Sequence, residues 1–297
     1  MIKLGLCCKF QVESIKFYTT TARYISKLTP KLRSRKISQL CLQNSKSLLS
    51  AINYCGDNKI GCFRVNSRIL PLKTHPNYGY DLNLLEHAEE IKNFFELCKQ
   101  TAKKRGIRLT FHPDQFILLS SKDQAITNKS IEELIYQSEV SELIGADVIN
   151  IHAGGGYGDK ISALKIVSRV LSKLDKKILN KITFENDDRV YTPADLLGFC
   201  KDNEIPFVYD VHHHRCLPDQ HSIEYVTEMA LKTWNREPLF HVSSPKFGWN
   251  GSKLNSHHDY IDINDFPRCW LDLNITVEVE AKAKELAVKK IAGQLGL

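Results

Sequence analysis

Eight short runs of apolar, β-branched and aromatic residues recur along the chain, separated by longer stretches whose apolar positions have helical spacing. The runs are Lys3 to Cys8, Cys62 to Asn66, Arg108 to Phe111, Val148 to His152, Lys181 to Glu185, Phe207 to Asp210, Leu239 to Ser243 and Ile275 to Glu280. Nearly all are too uniformly apolar for a sheet with one wet face, so the strands are expected to be buried on both sides, as parallel strands joined by crossover helices are. The expected helices are Ser38 to Tyr54, Leu84 to Lys104, Lys129 to Ile144, Ser162 to Leu174, Pro193 to Lys201, Ser222 to Thr233 and Lys282 to Leu295. Thr192 before Pro193 reads as an N-cap with a first-turn proline, and Gly106 and Gly145 read as helix stops. The pattern spells an α/β fold, a (β/α)8 TIM barrel. A doubly wound open sheet with an extra element is the structural alternative. No repeat, low-complexity tract or linker marks a second unit, so residues 1–297 are taken as a single domain.

Composition sets outer limits. Hydrophobic residues at 42% and charged residues at 25% suit a globular protein with its own core and exclude a wholly disordered chain. Lys and Arg number 41 against 34 Asp and Glu, a formal charge of +7, which is compatible with a polyanionic partner without demanding one. The nine cysteines are odd in number, scattered and never in C-x-x-C spacing, so neither a zinc ribbon nor a disulfide scaffold is indicated and reduced core thiols are expected. The first apolar run is interrupted by Lys3 and Lys9, too soon for a signal-peptide core, and no later stretch is long enough to span a bilayer. An intracellular, cytoplasmic protein with no membrane partner is the expectation.

The chemistry lies in what ends the strands. The third runs into His112, the fourth into His152, the fifth into Glu185 and the sixth into Asp210; the seventh contains His241 and the eighth finishes at Glu280. In a (β/α)8 barrel these ends converge on the face where active sites form. One such residue alone is more often a hydrogen-bonded or solvated side chain. Six at successive strand ends are different, because carboxylates crowded at a barrel mouth repel unless cations neutralise them. Nitrogen and oxygen donors without thiolate suit Mn, Zn or Fe(II), and several carboxylates together point to more than one ion. Paired divalent ions assist phosphodiester hydrolysis by acidifying water and stabilising charge on the attacking and leaving oxygens.

Two histidine clusters extend the set. Asp210-Val211-His212-His213-His214 places imidazoles on a loop just after strand six, and Ser256-His257-His258-Asp259-Tyr260 lies in the long loop after strand seven. Adjacent histidines cannot all face one way, so one per cluster is expected to coordinate. His75, His87 and His221 read as surface residues. The run Gly154-Gly155-Gly156-Tyr157-Gly158 is either a tight turn or a place where a phosphate backbone approaches the main chain. Basic residues at Arg23, Lys27, Lys31, Arg33, Arg35 and Lys36, with Lys246, Trp249 and Lys253 further on, fit either a solvated face or contacts to a polyanion.

With these residues laid out, the chain resembles the UV damage endonuclease family over nearly its whole length. The match is carried by Phe111-His112-Pro113-Asp114-Gln115-Phe116, Asn150-Ile151-His152-Ala153-Gly154-Gly155, Phe184-Glu185-Asn186-Asp187-Asp188, Tyr209-Asp210-Val211-His212-His213, His241-Val242-Ser243-Ser244, His257-His258-Asp259-Tyr260 and Val279-Glu280-Ala281-Lys282-Ala283-Lys284. The resemblance implies a metal-dependent endonuclease that nicks damaged double-stranded DNA 5′ to ultraviolet photoproducts and other distorting lesions, with two or three divalent ions of the Mn2+ type. It implies that Glu185, Asp210, His241 and Glu280 surround one ion, that His112 and His152 share Glu185 with a second, and that His213 and His257 share Asp210 with a third. It further implies that Gln115 and Phe116 probe the duplex opposite the lesion, and monomeric action is the simplest expectation. The chain departs from the family's pattern in four places: Phe116 stands where members have tyrosine, Leu239 stands where they have a carbamylated lysine, and Leu6 and Phe10 replace polar and tyrosyl lesion contacts. An apurinic-site endonuclease or a sugar isomerase of related barrel design is the alternative enzyme reading; a non-catalytic lesion-binding protein is the non-enzymatic one.

Overall fold

A computed structural model describes residues 1–113 and 117–297. Eight parallel strands close in sequence order: β1 (Lys3–Cys7), β2 (Cys62–Val65), β3 (Arg108–Phe111), β4 (Val148–His152), β5 (Ile182–Glu185), β6 (Phe207–Asp210), β7 (Leu239–Val242) and β8 (Thr276–Val279). Strand β1 pairs with both β2 and β8, which leaves no edge. This is the TIM barrel expected from the sequence, and the open sheet is excluded.

The eight strands fall where the apolar runs place them, but their two faces differ. Outward side chains such as Leu4, Leu6, Phe63, Val65, Phe111, Ile151, Phe184, Phe207, Phe240 and Val277 join one continuous core beneath the helices. Burying each large side chain contributes about 1.5–3 kcal/mol, so this shell carries most of the hydrophobic stabilisation. Inside the barrel, Val148, Val208 and Leu239 form a separate apolar cluster packed on by Trp234. The rest of the interior holds buried polar groups, among them Arg64, Thr110, Asn150, Thr183, Glu185, Asp210, His241 and Glu278. The strands therefore read as uniformly apolar only on their outward face.

The helices are α1 (Ala22–Ile25), α2 (Pro30–Asp57), α3 (Ala88–Arg105), α4 (Gln124–Ile144), α5 (Lys160–Leu171), α6 (Lys176–Leu179), α7 (Pro193–Asp202), α8 (Val211–Cys216), α9 (Ile223–Leu231) and α10 (Glu285–Leu295). Gly106 and Gly145 end α3 and α4 in the left-handed conformation. Thr192 and Asp195 form a reciprocal capping box on α7, with Pro193 in its first turn. Helix α2 begins at Pro30 rather than Ser38, because Thr29 caps it through the Leu32 amide; Lys31, Arg33, Arg35 and Lys36 thus belong to its first turns. Of these, Arg33 is spent on the carbonyls of Ile25 and Leu28. Among the described residues, no helix is long and apolar enough to cross a membrane. All nine cysteines are free thiols, six of them buried.

Candidate metal centre

Glu185, the last residue of β5, is fully buried and is the hub of the barrel mouth. Its Oε1 lies 3.1 Å from His241 Nδ1 and 3.3 Å from His213 Nδ1. Its Oε2 lies 2.9 Å from His112 Nε2 and 3.9 Å from His152 Nε2, and accepts from Asn150 Nδ2 at 2.5 Å. Asn150 is oriented in turn, because its Oδ1 accepts from Thr183 Oγ1. One carboxylate thus faces four imidazoles from four elements, two on each oxygen.

Asp210 ends β6 and caps α8: its Oδ1 accepts from the His213 amide at 2.8 Å. The cap brings His213 over the barrel, with Nδ1 3.6 Å from Asp210 Oδ2. The expected loop after strand six is therefore a short helix. Its neighbours turn elsewhere: His214 sits between the Tyr209 hydroxyl and Asp219, and the His212 ring packs between Trp249 and His257. Of this cluster, His213 is the histidine grouped with Glu185 and Asp210.

His241 Nδ1 faces Glu185, Asp210 and Glu280, the last at 3.6 Å. Three overlapping groups have donor atoms within 4.8 Å of one another: His112, His152 and Glu185; His112, His241 and Glu280; Glu185, Asp210 and His213. His257 stands at the edge, with Nδ1 3.7 Å from Glu280 Oε2, and joins none of these groups. His258 is used locally, accepting from the Tyr260 amide through Nδ1. His75, His87 and His221 are partly exposed and engage Tyr78, Glu90 and Tyr225, away from the rim. Gln115 and Phe116 lie outside the described residues.

The side chains by themselves create a site that favours positive charge. Burial works to raise the Glu185 carboxyl, but His241, His152 and His112 outweigh it and hold its pKa well below the usual carboxylate range. Burial works against a proton on His241, yet chiefly through Glu185 its pKa rises to about 10. His213 is lifted well above the imidazole range in the same way: burial opposes, while Asp210 and Glu185 prevail. Moreover, His112 Nδ1, His152 Nδ1 and Asp210 Oδ2 are buried without a hydrogen-bond partner among the described residues. Buried polar atoms are rarely left so. Nitrogen and oxygen donors, orphaned atoms and excess carboxylate charge together fit divalent cations.

Two buried ionic residues escaped the sequence reading. Arg64 on β2 pairs with Glu278, and its NH1 lies 2.6 Å from Glu280 Oε1. Glu278 lies 3.0 Å from His241 Nε2 and accepts from Thr110. The signal for Glu278 was present, since it lies two residues before Glu280 and so shares its strand face. Leu239, two residues before His241, lies in the apolar layer with Val148 and Val208.

The glycine run after His152 behaves as a turn: Gly154 has φ +87°, and a Cβ there would meet Ser120 Oγ at 2.6 Å. Next to Glu280 and His257, Cys7, Cys8, Lys9, Asn255, Lys282 and Lys284 enclose an open cavity of about 610 Å3 with three lysines on it. A larger cavity of about 970 Å3, lined by Ile131, Ile135, Leu143 and Lys173, lies elsewhere and holds none of the clustered residues.

The family model described as UV-endonuclease UvdE matches residues 2–296. The chain belongs to the UvdE family. Among UvdE relatives, the UV DNA damage endonuclease of Bacillus thuringiensis subsp. konkukian is 32% identical over 93% of this chain and 88% of its own length. That of Bacillus velezensis is 34% identical over 93% and 87%. The crystal structure of SacUVDE superposes on this UvdE chain with a TM-score of 0.87 at 24% identity, covering 100% of this chain and 98% of the other.

Proposed function

We propose that this chain is a metal-dependent DNA repair endonuclease that nicks damaged duplex DNA on the 5′ side of ultraviolet photoproducts and other distorting lesions, opening the strand for excision repair. The observation that carries this reading is the convergence of His112, His152, Glu185, Asp210, His213, His241 and Glu280 into three overlapping donor groups at one rim of the barrel. Family membership supports the choice of nuclease over sugar isomerase.

In this reading Glu185 would help hold the cations, with one oxygen facing His241 and His213 and the other facing His112 and His152. Asp210, with Oδ1 committed to the α8 cap, offers Oδ2. Glu280 and His257 complete the outer side. Two or three divalent cations of the Mn2+ type would supply Lewis acidity and neutralise charge developing on the phosphodiester. Lys9, Lys282 and Lys284, on the cavity beside Glu280, are placed to hold the backbone of the strand to be cut. Gln115 and Phe116 serve as the lesion probe: a damaged step has already lost stacking, so its bases are cheaper to extrude, and an apolar side chain fills the gap. The protein acts as a monomer inside the cell.

Leu239 favours a second reading, a lesion-binding protein without catalysis, since no modified lysine can form at that position. Supercoiled plasmid, irradiated and not, separates the two. Metal-stripped protein is expected to bind irradiated plasmid without cutting it, and Mn2+ to restore nicking of the irradiated form alone. Binding with no nick under any divalent metal would establish the non-catalytic reading.

A further inference from the structure

Glu278 belongs to none of the candidate cation groups, yet its carboxylate is buried inside the barrel against His241. Space for it is built in: Gly5 on β1 faces it, and a Cβ at Gly5 would lie 3.0 Å from Glu278 Cγ. Oε1 accepts from Thr110 Oγ1. Oε2 accepts from Arg64 Nε at 2.5 Å and lies 3.0 Å from His241 Nε2.

The same His241 nitrogen is also 3.0 Å from Arg64 NH2. It cannot serve both neighbours in one tautomer. As an N–H it donates to Glu278; as a bare nitrogen it accepts from Arg64. The choice determines the other end of the ring. With the proton on Nε2, Nδ1 presents a lone pair toward Glu185, Asp210 and Glu280; with the proton on Nδ1, the ring is closed to a cation. Glu278 Oε2 can accept from both Arg64 and His241 at once, which removes the conflict. Leu239, lower on β7, sits in the apolar layer and offers no polar group.

We propose that Glu278 is a positioning residue for the metal centre: it accepts the hydrogen bond from His241 Nε2–H, denies that nitrogen to Arg64, and so keeps Nδ1 open to a cation. Arg64 is the competitor that makes the carboxylate necessary. The inference rests on reading the rim as a metal centre.

Titration of metal-stripped full-length protein with Mn2+, alongside thermal melts of the metal-free forms, tests it. Wild type is measured first; if it binds no Mn2+, the metal-centre reading itself falls and this proposal with it. Given binding, E278L is expected to lose about 10- to 100-fold in Mn2+ affinity, the usual effect of removing a carboxylate that orients a ligating histidine. The double variant R64M/E278L is expected to recover part of that loss, because nothing then competes for Nε2. A purely structural role would lower the melting temperature of metal-free E278L and leave Mn2+ affinity of the folded protein unchanged. That outcome overturns the proposal while sparing the metal centre, as does a double variant no tighter than E278L. Should E278L fail to fold, E278M against R64M/E278M makes the same comparison.

Discussion

Glu185 faces four imidazoles of the rim, two on each carboxylate oxygen, and the proposed chemistry concentrates there. If the rim holds the cations proposed, loss of this carboxylate costs about 4 kcal/mol of charge stabilisation, so Glu185→Ala is expected to lower nicking of irradiated plasmid by about 10^3-fold or more. Asp210 allows a sharper dissection. Asparagine caps helices as well as aspartate does, so Asp210→Asn should keep α8 and the circular dichroism spectrum while Mn2+ affinity falls; unchanged affinity would remove Asp210 from the ligand set. The raised pKa values of His241 and His213 give a pH dependence with a definite sign. Protons on these rings compete with a cation and are lost as pH rises, so Mn2+ is expected to bind tighter at about pH 8.5 than at about pH 6.5. A reversed or flat profile in a calorimetric titration would contradict that. Residue type made His112, His152, Glu185, Asp210, His241 and Glu280 legible in the sequence, because each lies at or beside the C-terminal end of a strand. Arg64 was not, because a charged residue inside a short apolar run reads as an exception until the run is known to have a polar inner face; Glu278 was signalled only by its two-residue spacing from Glu280.

The elements themselves were the most legible part of the sequence. Outward positions such as Phe63, Phe184 and Phe240 announce each strand, and the caps at Thr192, Gly106 and Gly145 act through local geometry alone. Removing the reciprocal Thr192 and Asp195 bonds by Thr192→Ala is expected to cost about 1 kcal/mol in urea unfolding, without altering nicking at temperatures where the protein is folded. The elements misread were those with ambiguous local signals. The start of α2 is rich in lysine and arginine and resembles a surface patch; only Thr29 before Pro30 marks its beginning. Helix α8 is six residues long, three of them histidine, and it forms because Asp210 caps it. That cap is also what carries His213 to the cluster, so a local folding signal and a ligand assignment share one side chain.

At the scale of the whole molecule, closure of the sheet is what turns six separate strand ends into one site. Sequence alone placed the strands in order and made the barrel the natural answer. It could not say which His donor meets which carboxylate, since that depends on register and on the depth of each side chain in the mouth. His257 illustrates this: it lies beside Glu280 rather than within an Asp210 group. In the proposed function, cutting requires divalent cations held at this rim. Elemental analysis of metal-stripped protein reconstituted with Mn2+, wild type beside Glu185→Ala, tests it most directly. About two to three ions are expected per wild-type chain and fewer in the variant; no Mn2+ retained by wild type above the dialysis buffer, or equal retention by the variant, would rule the metal centre out.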